Sequence, residues 1–470
     1  MALRNHNVRL TLAWTVAENL SAALRSGDAL SALVFLLARS NAAVGLVQGA
    51  DGCAQLLAAA PAGWLADHRR RDAVLRAGAA LGAAAGAALA WAVATARAAH
   101  WWPLAAASAA MGAYRGVYGP SLDALFADSV ETGRTSALTW RFVLQLASAA
   151  AGPALSIAVF VRLGGAWTLD ACRAVCLAGA ALMLPALVLQ CLFDDGRALG
   201  RESEARGAAP PPLLDSAADG GARAAAAPRL RPAAAATLLI LASDLLGGLA
   251  SGMTIKFFSM FFWQELHFSP VAVSALGAAT PLAVSAASVG AARAARAGLG
   301  RVQTSLLARA VDIALLLAMA ALPPPAVAAL VAAHVARMAA GNCSRPLLRS
   351  VLNENVPKRW RGRVSAVDSI RAFSWSGSAA LGGVLVQRLG FQATFRITAA
   401  IKLAAALPLL PLLAHVPDGV GAGARRGAAA SAAAAGYAVL PDGEGGEGGE
   451  GSEGGKDRRA GGAAASPPNA

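Results

Sequence analysis

Charge is scarce in this sequence. Only 14% of its 470 residues are Asp, Glu, Lys or Arg, against about 25% in soluble domains, which excludes an ordinary soluble fold. Lysine is nearly absent, occurring only at 256, 358, 402 and 456. The net charge of +14 is therefore almost all arginine. In a soluble chain that excess would suggest nucleic acid; here the arginines cluster in loops on one side, and no nucleic-acid partner is expected. Cysteine is sparse and odd in number, at Cys53, Cys172, Cys176, Cys191 and Cys343. Four of them lie in apolar segments, so no disulfide framework is expected. His68, His100, His267, His334 and His415 are scattered without metal-ligand spacing. No glycine-rich phosphate loop followed by lysine occurs, which argues against ATP hydrolysis. No metal, no cofactor and no enzyme chemistry are expected.

Apolar sequence is what the chain has in quantity. Hydrophobic residues make up 56% of it, and the mean hydropathy is +0.52. Runs of about 20 apolar residues recur, each long enough to cross a bilayer core of about 30 Å as a helix. The start, MALRNHNVRL, imitates the basic region of a signal peptide. The stretch after it is too long and holds Glu18, Arg25 and Asp28, so it is read as the first spanning helix. Six helices are predicted over roughly 11–37, 43–63, 75–95, 101–122, 137–161 and 171–193. Six more are predicted over 236–263, 270–292, 302–322, 326–347, 364–387 and 394–414. The expected domains are a six-helix bundle over 1–193, a flexible linker over 194–235, a second bundle over 236–415 and a disordered Gly/Ala/Glu-rich tail over 416–470.

Between the second and third apolar stretches stands GWLADHRRRDAVL, from Gly63 to Leu75. It resembles the signature loop of the major facilitator superfamily, with Gly63, Leu65, Ala66, Asp67, Arg71 and Leu75 at matching positions. His68, Arg70 and Asp72 depart from the pattern. A duplication supports the resemblance. ENLSAALRSGDAL in helix 1 parallels SDLLGGLASGMTI in helix 7, aligning Ser26-Gly27 with Ser251-Gly252. After helix 4 and helix 10, Pro120 aligns with Pro346, and Gly133-Arg134 with Gly362-Arg363. The resemblance implies an all-α membrane protein of twelve transmembrane helices in two pseudo-symmetric six-helix bundles. It also implies that Asp67 with Arg134 or Arg71, at the turn opened by Gly63, forms a conformational gate.

Arginine-rich loops of one parity place both termini, the linker and the signature loop in the cytoplasm by the positive-inside rule. Trp101, Trp102 and the cluster Phe257, Phe258, Phe261, Phe262 and Trp263 are expected as an aromatic belt at the opposite interface. Which membrane holds the protein stays open.

Ionisable groups in membrane helices are costly and face a polar interior. Glu18, Ser21, Arg25 and Asp28 fall on one stripe of helix 1, with Arg25 and Asp28 close enough to pair. Helix 7 carries Asp244 and Lys256, and helix 4 carries Tyr114 and Arg115. The resemblance places helices 1, 4, 7 and 10 around a central cavity. On that reading Arg25, Asp28, Tyr114, Arg115 and Lys256 bind substrate, and Glu18, Asp28 or Asp244 takes a coupling proton. The same charges could instead form structural pairs. The expected function is secondary active transport of a small polar or anionic solute by alternating access, as a monomer in the lipid bilayer and driven by protons. The alternative is a transporter-like receptor that binds a ligand without moving it.

Overall fold

The computed structural model describes residues 5–130, 134–198, 232–348 and 361–415, with the side chains of residues 67, 134–136, 138, 139, 232–236, 361–373, 414 and 415 outside the description. Most of the expected linker and all of the expected tail also fall outside it. The described backbone is helical: α1 His6–Arg25, α2 Asp28–Ala38, α3 Asn41–His68, α4 Arg71–Thr95, α5 Trp102–Asp128, α6 Arg134–Arg162, α7 Leu169–Ala181 and α8 Met183–Cys191. The second half holds α9 Pro232–Gln264, α10 Pro270–Ala294, α11 Arg301–Ala321, α12 Val327–Cys343 and α13 Arg361–Ala406.

Twelve spanning units follow. The first is α1 and α2 in series, broken at Ser26-Gly27. The sixth is α7 and α8, broken at Leu182. The last two share α13, which turns back at Gly390. There φ is +80°, a conformation open to glycine and costly for other residues, so no loop is needed between these spans. Three of the other helix starts are fixed by side-chain caps. Ser40, Thr168 and Ser269 each accept a hydrogen bond from a backbone N–H in the following first turn. Among the described residues, seven of these units are long and apolar enough to cross a membrane on length and composition alone.

The signature turn is shorter than expected. Gly63 does not open it but sits inside α3, which runs on to His68. The Arg69 N–H closes that last helical turn on the Leu65 carbonyl at 2.8 Å, leaving only Arg69 and Arg70 between helices. Nothing crowds Gly63, so the helix meets no obstacle there.

Within the first half, α3 and α5 pack along their length. Gly112 of α5 lies against the Asp51 carbonyl of α3 so closely that any Cβ would overlap it. Small residues at such crossings let helix backbones touch. Gly112→Val is therefore expected to force α3 and α5 apart and destabilise the protein by roughly 1–3 kcal/mol or more. A lowered unfolding midpoint by tryptophan fluorescence in detergent checks this; an unchanged midpoint counts against the packing.

The expected aromatic belt is corrected in part. Phe257, Phe258, Phe261 and Phe262 are buried, at 0–2% exposure, and the rings of Phe258, Phe261 and Phe262 meet those of Phe391, Phe395 and His334. Helix α9 turns this face into the second bundle because α13 presents matching rings. Trp102, 63% exposed, keeps an outer position.

Candidate functional site

The break in the first span creates the site. At Ser26-Gly27 the last carbonyls of α1 lose their helical partners, and α2 starts afresh with Asp28 in its first turn. A carboxylate is favoured at that N-terminus by the helix dipole. Helix α9 of the other half supplies both partners. Lys256 Nζ donates to the Ser26 carbonyl at 2.8 Å, and Ser259 Oγ donates to Asp28 Oδ1 at 2.5 Å. Gly277 of α10 and Pro153 of α6 close on the same spot, with the Asp28 carboxylate beside Gly277. Among the described residues no cation lies within ion-pair distance of Asp28, and no carboxylate within that distance of Lys256.

Every other acid described in the interior of the helices is paired. Arg25 does not meet Asp28, because the helix break turns Asp28 away from the α1 stripe. It pairs instead with Glu18 at 2.5 Å and donates to Ser21, whose hydroxyl donates to the Gly179 carbonyl of α7 at 2.7 Å. Arg25 is fully buried there. Arg115 of α5 pairs with Asp51 of α3, within the electrostatic reach of Lys256 and Arg25. Tyr114 turns into the first bundle, where its hydroxyl donates to Gln190 at 2.8 Å and its ring packs on Gly82. Asp244 pairs with Arg309 of α11 at 3.2 Å. Asp312 of α11 holds two cations, Arg337 of α12 at 3.2 Å and Lys402 of α13 at 2.5 Å.

At the face carrying the signature turn, Arg71 pairs with Asp128 at the end of α5 at 2.5 Å, and its N–H donates to Asp195 beyond α8. Arg70 bonds Asp72 through two nitrogens at 3.1 and 2.9 Å. That hydrogen-bonded carboxylate holds the Arg70 guanidinium above its ordinary pKa. These contacts stay within the first half. The Asp67 and Arg134 side chains, the other expected gate members, lie outside the described residues.

Hydrogen bonds between described residues of the two halves run from mid-depth to the opposite face. Besides those of Lys256 and Ser259, Asn41 bonds Gln264 at 3.1 Å and Gln387 at 2.8 Å. The Trp167 indole donates to the Phe268 carbonyl at 2.9 Å and stacks on Trp263 at 4.9 Å. Sequence reasoning missed Asp51, Arg309, Asp312 and Lys402 as partners. Each is a charged residue within an apolar run, and that signal was sufficient to find them.

The comparisons with known proteins bear on the fold and the family. The family model described as Major Facilitator Superfamily matches residues 10–380. No curated protein matches the chain. A POT family transporter solved with 5-aminolevulinic acid superposes with a TM-score of 0.63 at 12% identity, over 88% of this chain and 96% of that one. A bacterial homologue of the iron transporter ferroportin in its inward-facing state gives 0.59 at 14% identity, over 86% and 98%. Such a homologue in the outward-facing state with soaked iron gives 0.54 at 17% identity, over 87% and 99%. These likenesses speak for the fold, and the family match extends over most of the sequence: the chain belongs to the Major Facilitator Superfamily.

Proposed function

We propose that the protein is a proton-coupled secondary transporter of a small polar or anionic solute, working by alternating access. The observation that carries this reading is the unpaired acid and unpaired base at the junction of the halves. Asp28 belongs to the first half and Lys256 to the second, and each is held by a neutral group of the other. Both groups are part-buried with neutral hydrogen-bond partners, an arrangement that leaves each ion short of a direct counter-ion, and a change in occupancy or protonation relieves that cost. Lys256 offers an ammonium to an anionic group of the solute. Asp28 is the carboxylate that takes a proton with least loss, because no salt bridge is broken. Glu18, Arg25 and Tyr114 support the site from within the first bundle, and the Asp51–Arg115 pair borders it.

The zipped face and the signature-turn face support one direction. With the arginine-rich signature turn in the cytoplasm, contacts such as Asn41–Gln264 close the far side, an inward-facing arrangement. A solute bound between the halves shifts the balance between this state and its outward counterpart only by its difference in affinity for the two.

The test is uptake into sealed proteoliposomes from a panel of metabolites and inorganic anions, with and without an inward proton gradient. Gradient-dependent accumulation of one compound is expected. Accumulation of that compound indifferent to the gradient would overturn proton coupling. A folded protein that binds a compound without moving it would replace transport with ligand sensing.

A further inference from the structure

A second charged cluster lies in the interior of the second bundle, apart from Asp28 and Lys256. It joins Asp244 and Arg309, then Asp312, Arg337 and Lys402, from helices α9, α11, α12 and α13. Two carboxylates face three cations, so the described groups carry one surplus positive charge. Arg337 is 3% exposed and His334, one helical turn before it, 7%. Both lie on the Phe258 ring. The guanidinium carbon sits 4.1 Å from the ring centre and the imidazole 5.0 Å. Arg337 reaches Asp312 through Nε, while its Nη1 and the Nδ1 of His334 have no hydrogen-bond partner. Buried nitrogens left unpaired are expensive, and a surplus buried charge more so. Two such nitrogens one helical turn apart, both against Phe258 and beside a surplus cation, leave room in the bonding for an acceptor of opposite charge.

We propose that this cluster binds a small monovalent anion of halide size. Arg337 Nη1 donates to it, and His334 donates from Nδ1 as the corresponding neutral tautomer. Lys402 supplies the charge balance through Asp312. Phe258 covers one face of the guanidinium and leaves its edge for the anion. A divalent oxyanion is disfavoured, because it would turn a surplus of one positive charge into one of negative sign. The site stands off the junction of the halves, so its occupant stabilises the second bundle rather than serving as the transported solute.

The test uses the full chain in detergent, with chloride as the probe and gluconate replacing it at constant ionic strength. Unfolding is followed by the fluorescence of its ten tryptophans. Chloride is expected to raise the midpoint saturably. Lys402→Met removes the surplus while leaving Asp312 paired with Arg337, and His334→Phe removes one donor while keeping the aromatic packing. Each is expected to weaken the half-saturating chloride concentration effect by about tenfold or more, the worth of one charge-assisted contact. Equal midpoints in chloride and gluconate for the unaltered protein would overturn the proposal, and would be the outcome if Lys402 were neutral. A chloride effect that survives undiminished in either variant would overturn it as well. No step depends on the transported solute, so failure here leaves the transport reading untouched.

Discussion

Asp28→Asn is expected to reduce proton-driven accumulation to simple equilibration while leaving exchange between equal pools of solute intact. The size of the effect follows from the gradient. Each pH unit is worth about 1.4 kcal/mol per proton, so one proton per solute and an inward gradient of about 2 units support roughly hundredfold accumulation. An amide at position 28 can still accept from Ser259 and still sits at the start of α2, so the site keeps its shape. It cannot take up a proton. Exchange needs only binding and the swing between states, and both survive. The comparison variant is Glu18→Gln. It leaves Arg25 buried without its carboxylate, so lost expression or stability is expected rather than lost coupling. Hundredfold accumulation by Asp28→Asn would remove Asp28 from the coupling role. Loss of exchange together with accumulation would make Asp28 a binding or folding residue instead.

How much of this could be read from the sequence differs between fold and site. The spans were legible because lipid demands about 20 apolar residues per helix, and the repeat made the two halves visible through Ser26-Gly27 and Ser251-Gly252. The signature motif named the family. What the sequence hid was direction. Glu18, Arg25 and Asp28 share a stripe on an unbroken helix, and the Ser26-Gly27 break separates them into a structural pair and a free carboxylate. Tyr114 sits beside Arg115, yet the two side chains serve different neighbours, Gln190 and Asp51. Asp51 and Asp312 lie on helices 2 and 9, outside the set 1, 4, 7 and 10 to which the resemblance points, and their cations sit on helices packed against them. Pairing across helices is a property of packing, and no single-helix period contains it.

The second large effect is expected at Asp312. It is 4% exposed and lies between Arg337 and Lys402, with Gly341 leaving space against its carboxylate. Asp312→Ala leaves two cations buried together without their shared anion. Breaking a buried pair from one side costs about 3–5 kcal/mol, and here two partners are stranded and repel each other. SDS-denaturation of the purified protein should show a loss at least that large, or the variant should fail to accumulate in membranes. The informative control is the triple variant Asp312→Asn, Arg337→Gln, Lys402→Met. Replacing a whole buried ionic group by neutral residues of similar volume is often close to neutral in stability, so the triple variant should be more stable than Asp312→Ala although it carries more changes. A triple variant worse than the single one would mean that the cluster holds α11, α12 and α13 together by its charges. A single variant as stable as the unaltered protein would mean that Arg337 and Lys402 reach other partners, and the ionic core of the second bundle would have to be redrawn around them.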